Sequence, residues 1–225
     1  MTVFRVLNQL CFALLTIVSI NVSANSLSSQ VSFYDDENIV SVYGTTNVTD
    51  SVSVNAEIDS TGYLALGAGY GEIFGSWYLE GFFNYGRADL IDILDLGIMA
   101  GTSLSEKVTV FYLGYHQWRE TNGIPGAIGS EVFNAREWQN TIGFSYEPSE
   151  VFEISVSLSH DRLLSGHWLV ADVENKNINS QDVTFKYKTR VVNPFVRYRT
   201  GEYRVRPGEP ITRDDTFEFG VSASF

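Results

Sequence analysis

The chain has 225 residues, 27 acidic against 15 basic side chains, a net charge of −12 and one cysteine. So acidic a balance disfavours nucleic acid, which needs a basic face, and the one cysteine, Cys11, lies in an N-terminal segment whose expected removal leaves no thiol for a disulfide or a thiolate metal site. With 19 Gly, 12 Tyr and 15 Phe against 5 Pro and 2 Met, the composition reads all-β.

Residues 1–24 are expected to be a cleaved signal peptide. Arg5 and the α-amino group form a short positive region, and Leu10 to Ile20 is an apolar run. Val22-Ser23-Ala24 is a small-residue cleavage site that leaves Asn25 as the new terminus. The apolar run is about half the roughly 20 residues a spanning helix needs. Cys11 leaves with this segment, and residues 25–225 form a single domain.

Apolar and polar residues then alternate with the period of a strand. Val52, Val54, Ala56 and Ile58 alternate with Ser53, Asn55, Glu57 and Asp59. Leu64-Leu66-Ala68-Tyr70, Trp77-Leu79-Gly81-Phe83-Tyr85 and Leu94-Leu96-Ile98-Ala100 continue the pattern, with Glu80 and Asp95 on the opposite phase. Phe152-Ile154-Val156-Leu158 opposes Glu153, and Val183-Phe185-Tyr187 opposes Lys186 and Lys188. Val196 and Tyr198 oppose Arg197 and Arg199, and Phe217-Phe219-Val221-Ala223-Phe225 closes the chain. A helix would place every third or fourth residue on one face, not every second one.

Strands are predicted near 29–34, 37–45, 51–58, 61–70, 74–86, 91–103, 107–118, 137–147, 150–162, 181–189, 194–204 and 214–225. That is about twelve, with ten as the alternative count, and an even number places both termini in the periplasm. Polar reversals at 45–50, 102–106 and 146–150 serve as short turns; 119–136 and 163–181 are the long connections, with a shorter one at 205–215. The polar phase is mostly Ser, Gly, Thr and Asn, as a crowded or watery lumen requires, and Tyr and Trp cluster near strand ends as an interfacial girdle would. With an export signal, the expectation is a closed antiparallel transmembrane β-barrel in a Gram-negative outer membrane, in contact with its lipid and lipopolysaccharide.

The ending Glu218-Phe219-Gly220-Val221-Ser222-Ala223-Ser224-Phe225 resembles the terminal recognition signal of bacterial outer-membrane proteins. Gly220, Ala223 and Phe225 occupy its glycine, antepenultimate and last positions, Ala223 being smaller than usual. The resemblance implies that the barrel assembly machinery reads this strand, by strand addition. The run Val192-Asn193-Pro194-Phe195-Val196-Arg197-Tyr198, before a final loop and strand, resembles the small monomeric oligogalacturonate-specific porin family over about the last 45 residues. Members of that family pass acidic oligosaccharides through a basic lumen. This chain departs from them in being strongly acidic, so no residue is carried over as a binding site.

Charge is unevenly distributed. Residues 25–180 hold 21 acids and 6 bases, whereas 181–225 hold 8 bases and 6 acids. On the inward phase, Lys186, Lys188, Arg197 and Arg199 are expected to form one basic strip lining the lumen, with Glu57, Asp59, Glu80, Asp95 and Glu153 on other strands. That arrangement suits a channel for small hydrophilic solutes; an interior sealed by salt bridges, serving a structural or surface-interaction role, is the alternative. A lipid hydrolase would need a nucleophile and base within reach, and the sequence has no His-x-Ser or Gly-x-Ser-x-Gly pattern. His116 and His160 fall on girdle and lipid-facing positions, His167 in a long connection, and the three have no metal-ligand spacing. No catalytic residue, metal or cofactor is expected.

Phe217 and Phe225 share one face, but only Phe225 occupies the terminal signal. Phe225→Ala is expected to lower outer-membrane yield several-fold relative to Phe217→Ala, measured by immunoblot of membrane fractions; equal yields would remove the assembly role.

Overall fold

The computed structural model describes residues 26–34, 37–88, 91–121, 135–166, 177–204 and 211–224. The expected signal peptide, His167 and Phe225 lie outside the described residues.

Twelve antiparallel strands close into a barrel: β1 (Ser26–Tyr34), β2 (Glu37–Asn47), β3 (Val52–Asp59), β4 (Leu64–Phe74), β5 (Trp77–Ala88), β6 (Ile91–Ser105), β7 (Val108–Thr121), β8 (Ala135–Ser149), β9 (Phe152–Gly166), β10 (Asn177–Tyr187), β11 (Asn193–Gly201) and β14 (Thr216–Ser224). Between the last two, β12 (Tyr203–Arg204) and β13 (Ile211–Thr212) pair as a separate hairpin. Neighbours in sequence pair throughout, and the ring closes where Ser26 meets Ser224 and Phe33 meets Phe217. Closure leaves no barrel strand with an unpaired edge.

The alternation sorts as the period demands. Leu64, Leu66, Leu79, Phe83, Leu94, Leu96, Ile98, Ile142, Phe144, Phe152, Leu158, Phe185, Phe217 and Phe219 are exposed on the outside. So many exposed large apolar residues in one continuous band would be untenable in water and are what a strand presents to lipid.

Ser26 and Ser224 lie at one end, with the connections at 48–51, 75–76, 106–107, 150–151 and 188–192. Side chains build these turns: the Thr49 hydroxyl accepts from the Ser51 and Val52 amides at 3.3 and 3.0 Å. Thr189 does the same for Val191 and Val192. The longest connections, 122–134, 167–176 and the segment holding β12 and β13, share the other end, here the loop end.

Two connections are shorter than the sequence predicts. β7 continues to Thr121, β8 begins at Ala135, and β10 begins at Asn177. Ladder pairing persists there, for example Arg119 with Ala135 and Asn177 with Arg162. The outward row has turned polar, however, so the hydropathy alternation disappears while the backbone pairing does not.

The inside is divided by size. Glycines on β4 leave room for the inward row of β5: a Cβ at Gly67 would meet Asn84, at Gly69 Glu80, at Gly71 Tyr78. Gly97 on β6 is closed in by Phe82, the Tyr115 Cβ and the Gly114 carbonyl. Large residues opposite small ones thus fill the interior along β4–β6, where Tyr63, Ala65 and Ile93 form a buried cluster.

Gly81 on β5 has open space around a would-be Cβ. Gly97→Ala is therefore expected to cost about 1–3 kcal/mol by overpacking against backbone, and Gly81→Ala to stay within about 0.5 kcal/mol. The temperature at which each variant loses its fast-migrating folded band on a gel measures the difference.

Candidate functional site

The opposite half of the lumen is open. A cavity of about 680 Å³ runs from Ser28, Ser222 and Lys186 near the turn end to Asp161, Tyr203 and Arg204 near the loop end. Its wall is made by β1, β7–β12 and β14. Hydroxyls and amides dominate it: Gln117, Gln139 and Thr141 on β7 and β8, Ser155, Ser157 and Ser159 on β9, Ser180 and Thr184 on β10.

Lys186, Arg197 and Arg199 border this cavity. Each faces a carboxylate directly across the ladder. Arg197 is the register partner of Glu218, with Nη1 2.8 Å from Oε2. Arg199 is the partner of Asp182, with Nε 2.5 Å from Oδ1, and its Nη1 lies 4.0 Å from Glu218. Lys186 is the partner of Glu153, with Nζ 3.2 Å from Oε1. Lys188 reaches Glu147 at 2.8 Å near the turn end. Hydroxyls complete the ladder: Arg197 Nε donates to Thr184 (3.2 Å), Ser157 to Asp182 (3.1 Å) and Ser155 to Glu153 (3.2 Å). The strip is cationic and anionic in alternation.

The other acids point inward without bordering the cavity. Glu57 sits between its register partners Tyr43 and Ala65. Asp59 organises the β3–β4 turn, accepting from the Thr61 and Tyr63 amides at 2.8 and 3.1 Å and from the Thr61 hydroxyl. Glu80 accepts from Ser53 (3.1 Å) and Tyr78 (2.9 Å), and Asp95 from Gln117 Nε2 (2.9 Å). Of the terminal-signal positions, Gly220 faces inward against the Phe195 ring, and Ala223 pairs with Leu27 across the closing seam.

The sequence reading missed the most buried charges. Arg119 on β7 and Glu137 on β8 form an ion pair at 2% and 0% side-chain exposure. Arg204 Nη2 donates to the same Glu137 oxygen at 2.8 Å. This carboxylate bridges two barrel strands to the β12–β13 hairpin and brings the hairpin into the lumen. Ile211 packs on the buried Ala135, Leu163 and Ile178. The Tyr203 ring lies 5.1 Å under the Arg199 guanidinium, and its hydroxyl contacts the Asp214 carbonyl at 2.5 Å and the Thr216 hydroxyl. At the hairpin's exit the Thr200 and Tyr198 hydroxyls, each 2.6 Å away, hold the Asp215 carboxyl below its ordinary pKa. Hence Tyr203 and Arg204 are part of the cavity wall. Phase would have found some of these residues: Asp182 shares the parity of Lys186, and Glu218 opposes Phe217 and Phe219. Nothing in the sequence pairs Arg204 with a residue 67 positions earlier.

Both described histidines are outside. His116 stacks on Trp118 with ring centroids 4.0 Å apart. His160 lies 2.8 Å from the Asn179 side-chain oxygen, with Asn140 and Asn179 as its register partners and Leu158 and Arg162 along its own row. None of these four offers a hydroxyl nucleophile. Among the described residues no group of three or more His, Cys, Asp or Glu is placed to hold a metal ion.

Removing the bridging carboxylate leaves Arg119 and Arg204 facing each other in a buried site, a change that costs about 3–5 kcal/mol when a buried pair is broken. Glu137→Gln is therefore expected to lower thermal stability and make the chain trypsin-sensitive at Arg204, whose side chain is buried in the wild type. Unchanged protection of Arg204 would show that the hairpin is held by its other contacts, those of Ile211 and Tyr203 among them.

No family model and no curated protein matches the sequence. The fold is similar to that of the NanC porin, at 9% identity and a TM-score of 0.72 over 88% of this chain and 100% of that one. It is similar to the KdgM porin in complex with disordered oligogalacturonate, at 11% identity and 0.66 over 89% and 99%. It is also similar to LpxR from Salmonella typhimurium, at 9% identity and 0.52 over 89% and 100%. At these identities the likeness is one of fold: a small closed barrel of the outer-membrane type.

Proposed function

We propose that this protein is a non-enzymatic outer-membrane channel for small hydrophilic solutes, with termini and short turns in the periplasm and the loop end outside. The observation that carries this reading is the cavity running most of the barrel's height behind a wall of hydroxyls, amides and paired charges. Its likeness to two porin folds supports it. The solute class follows from the wall. In the KdgM porin the bound ligand is a polyanion, oligogalacturonate. Here Arg197, Arg199 and Lys186 each have a carboxylate opposite, so the strip carries little net charge and offers donors and acceptors in alternation. Such a wall solvates uncharged or zwitterionic polar solutes and gives a polyanion no continuous cationic track. The hairpin, with Tyr203 and Arg204 in the wall, narrows the passage near the outer mouth.

Planar-bilayer recording tests this. The wild type is expected to conduct with weak ion selectivity. Replacing Lys186, Lys188, Arg197 and Arg199 together with Gln strips the charge partners from Glu153, Glu147, Glu218 and Asp182, and cation-over-anion permeability should rise several-fold. A wild type that never conducts, with a variant that loses stability, means a sealed interior. Conductance with unchanged selectivity means that the pathway avoids this wall.

A further inference from the structure

On the β4–β6 side the outward row is apolar through Leu64, Leu66, Tyr85, Leu94 and Leu96, all exposed, and ends at the loop end in Arg87 and Asp92, which pair with each other. Across β8, β9 and β10 it does not. Beyond Ile142 and Leu158 the register sets Asn140, His160 and Asn179 in one outward row over three strands. Tyr112 and Trp138 both donate to the Asn140 side-chain oxygen at 2.7 Å. The outer surface here is concave: a groove of about 600 Å³ is bordered by Tyr112, Asn140, His160, Asn179 and Gln181.

Two exposed arginines stand beside this groove. Arg162 is the register partner of Trp138, and Arg136 of Trp118. Neither is in an ion pair among the described residues, and the outward rows of β8, β9 and β10 contain no carboxylate. In a chain of net charge −12 that is a selective exclusion. Among the described residues, Glu120 on β7 lies one outward step beyond Trp118 and opposite Asp92, which is engaged by Arg87, and Glu202, whose amide donates to the Asn179 carbonyl, is engaged by Arg213.

The indoles set the depth. Trp118 stacks on His116, and Trp138 meets the same imidazole edge-on at 6.3 Å. Exposed Trp in such a girdle sits at the level of the lipid headgroups. Arginines paired with those indoles therefore stand at the headgroup layer, where an outward Arg is tolerated, and above the hydrocarbon, where it is costly.

We propose that this face is a binding site for a phosphorylated glycolipid headgroup of the outer leaflet. The inference rests on the loop end facing outward. Arg136 and Arg162 supply planar forks suited to phosphate oxygens. The Asn140–His160–Asn179 row hydrogen-bonds saccharide hydroxyls, and the Trp138 ring covers a sugar face. The apolar Ile142 and Leu158 below receive the acyl chains.

The test uses the full chain expressed with its own leader, purified from membranes in detergent, and titrated with bis-phosphorylated lipid A. Native mass spectrometry counts bound lipid, and tryptophan fluorescence follows the titration. Binding is expected to weaken at least tenfold in the Arg136→Gln/Arg162→Gln double variant, and at least tenfold for chemically dephosphorylated lipid A on the wild type. Equal binding by both proteins or of both lipids overturns the proposal. So does full competition by millimolar inorganic phosphate, which marks a free-anion site, or equal Arg-dependent binding of phosphatidylglycerol, which marks a generic anionic-lipid surface. A dimer that Trp138→Ala dissolves, with no lipid bound, marks a protein interface and overturns it as well. Bilayer conductance of the double variant should match the wild type. Loss of conductance in the wild type with lipid binding intact would remove the channel and leave this site standing.

Discussion

A strand in hydrocarbon has no water to satisfy its backbone, so each unpaired N–H or C=O costs several kcal/mol. The pairing of β1 with β14, from Ser26–Ser224 to Phe33–Phe217, removes that cost by ending the sheet on itself. The rest of the architecture follows from this seam. Closing an antiparallel meander takes an even number of strands, which brings both chain ends to one side. Each strand then has one face to lipid and one to the lumen, so its sequence alternates. Strand lengths of 9–15 residues in the ring apart from β3, which has 8, suit a tilted crossing of the bilayer.

Inside, the same closure forces charged side chains into a confined space, and the chain answers in two ways. Along β9, β10, β11 and β14, cations and carboxylates stand as cross-strand partners, the arrangement in which opposite charges on a sheet are closest. Neither sign accumulates, and the hydroxyls of Ser157, Ser155 and Thr184 take up remaining hydrogen-bonding capacity. Near the loop end the solution is more costly. Arg119, Glu137 and Arg204 are withdrawn from water, and desolvation offsets much of their attraction. What this bridge secures is position: it ties a hairpin formed late in the chain to strands formed earlier.

The lumen is thereby asymmetric. Glycines facing Asn84, Glu80, Tyr78 and Phe82 let side chains fill the β4–β6 side, while small hydroxyl residues on β8–β10 leave the other side open. The longest connections belong to that open side. The outward polar face of β8–β10 lies on it too, so passage and surface recognition, as proposed here, share one half of the barrel and use opposite faces of the same strands.

By itself the sequence determined the strand period, the inward and outward phases, the turn positions and the barrel class, because alternation is a local property that a two-faced environment imposes on every strand. From phase alone Lys186, Lys188, Arg197 and Arg199 could be placed on the inward side. Their neutralisation could not, because facing Glu153, Glu147, Glu218 and Asp182 depends on register, and register is set by turn geometry. The ends of β7, β8 and β10 were hidden because their outward rows become polar where the strands pass beyond the apolar band, erasing alternation while pairing continues. The Arg119–Glu137–Arg204 bridge and the filling of one half of the lumen were decided only by the tertiary structure. Both depend on which residues meet across the interior of a closed ring, and that distance is unrelated to separation along the chain.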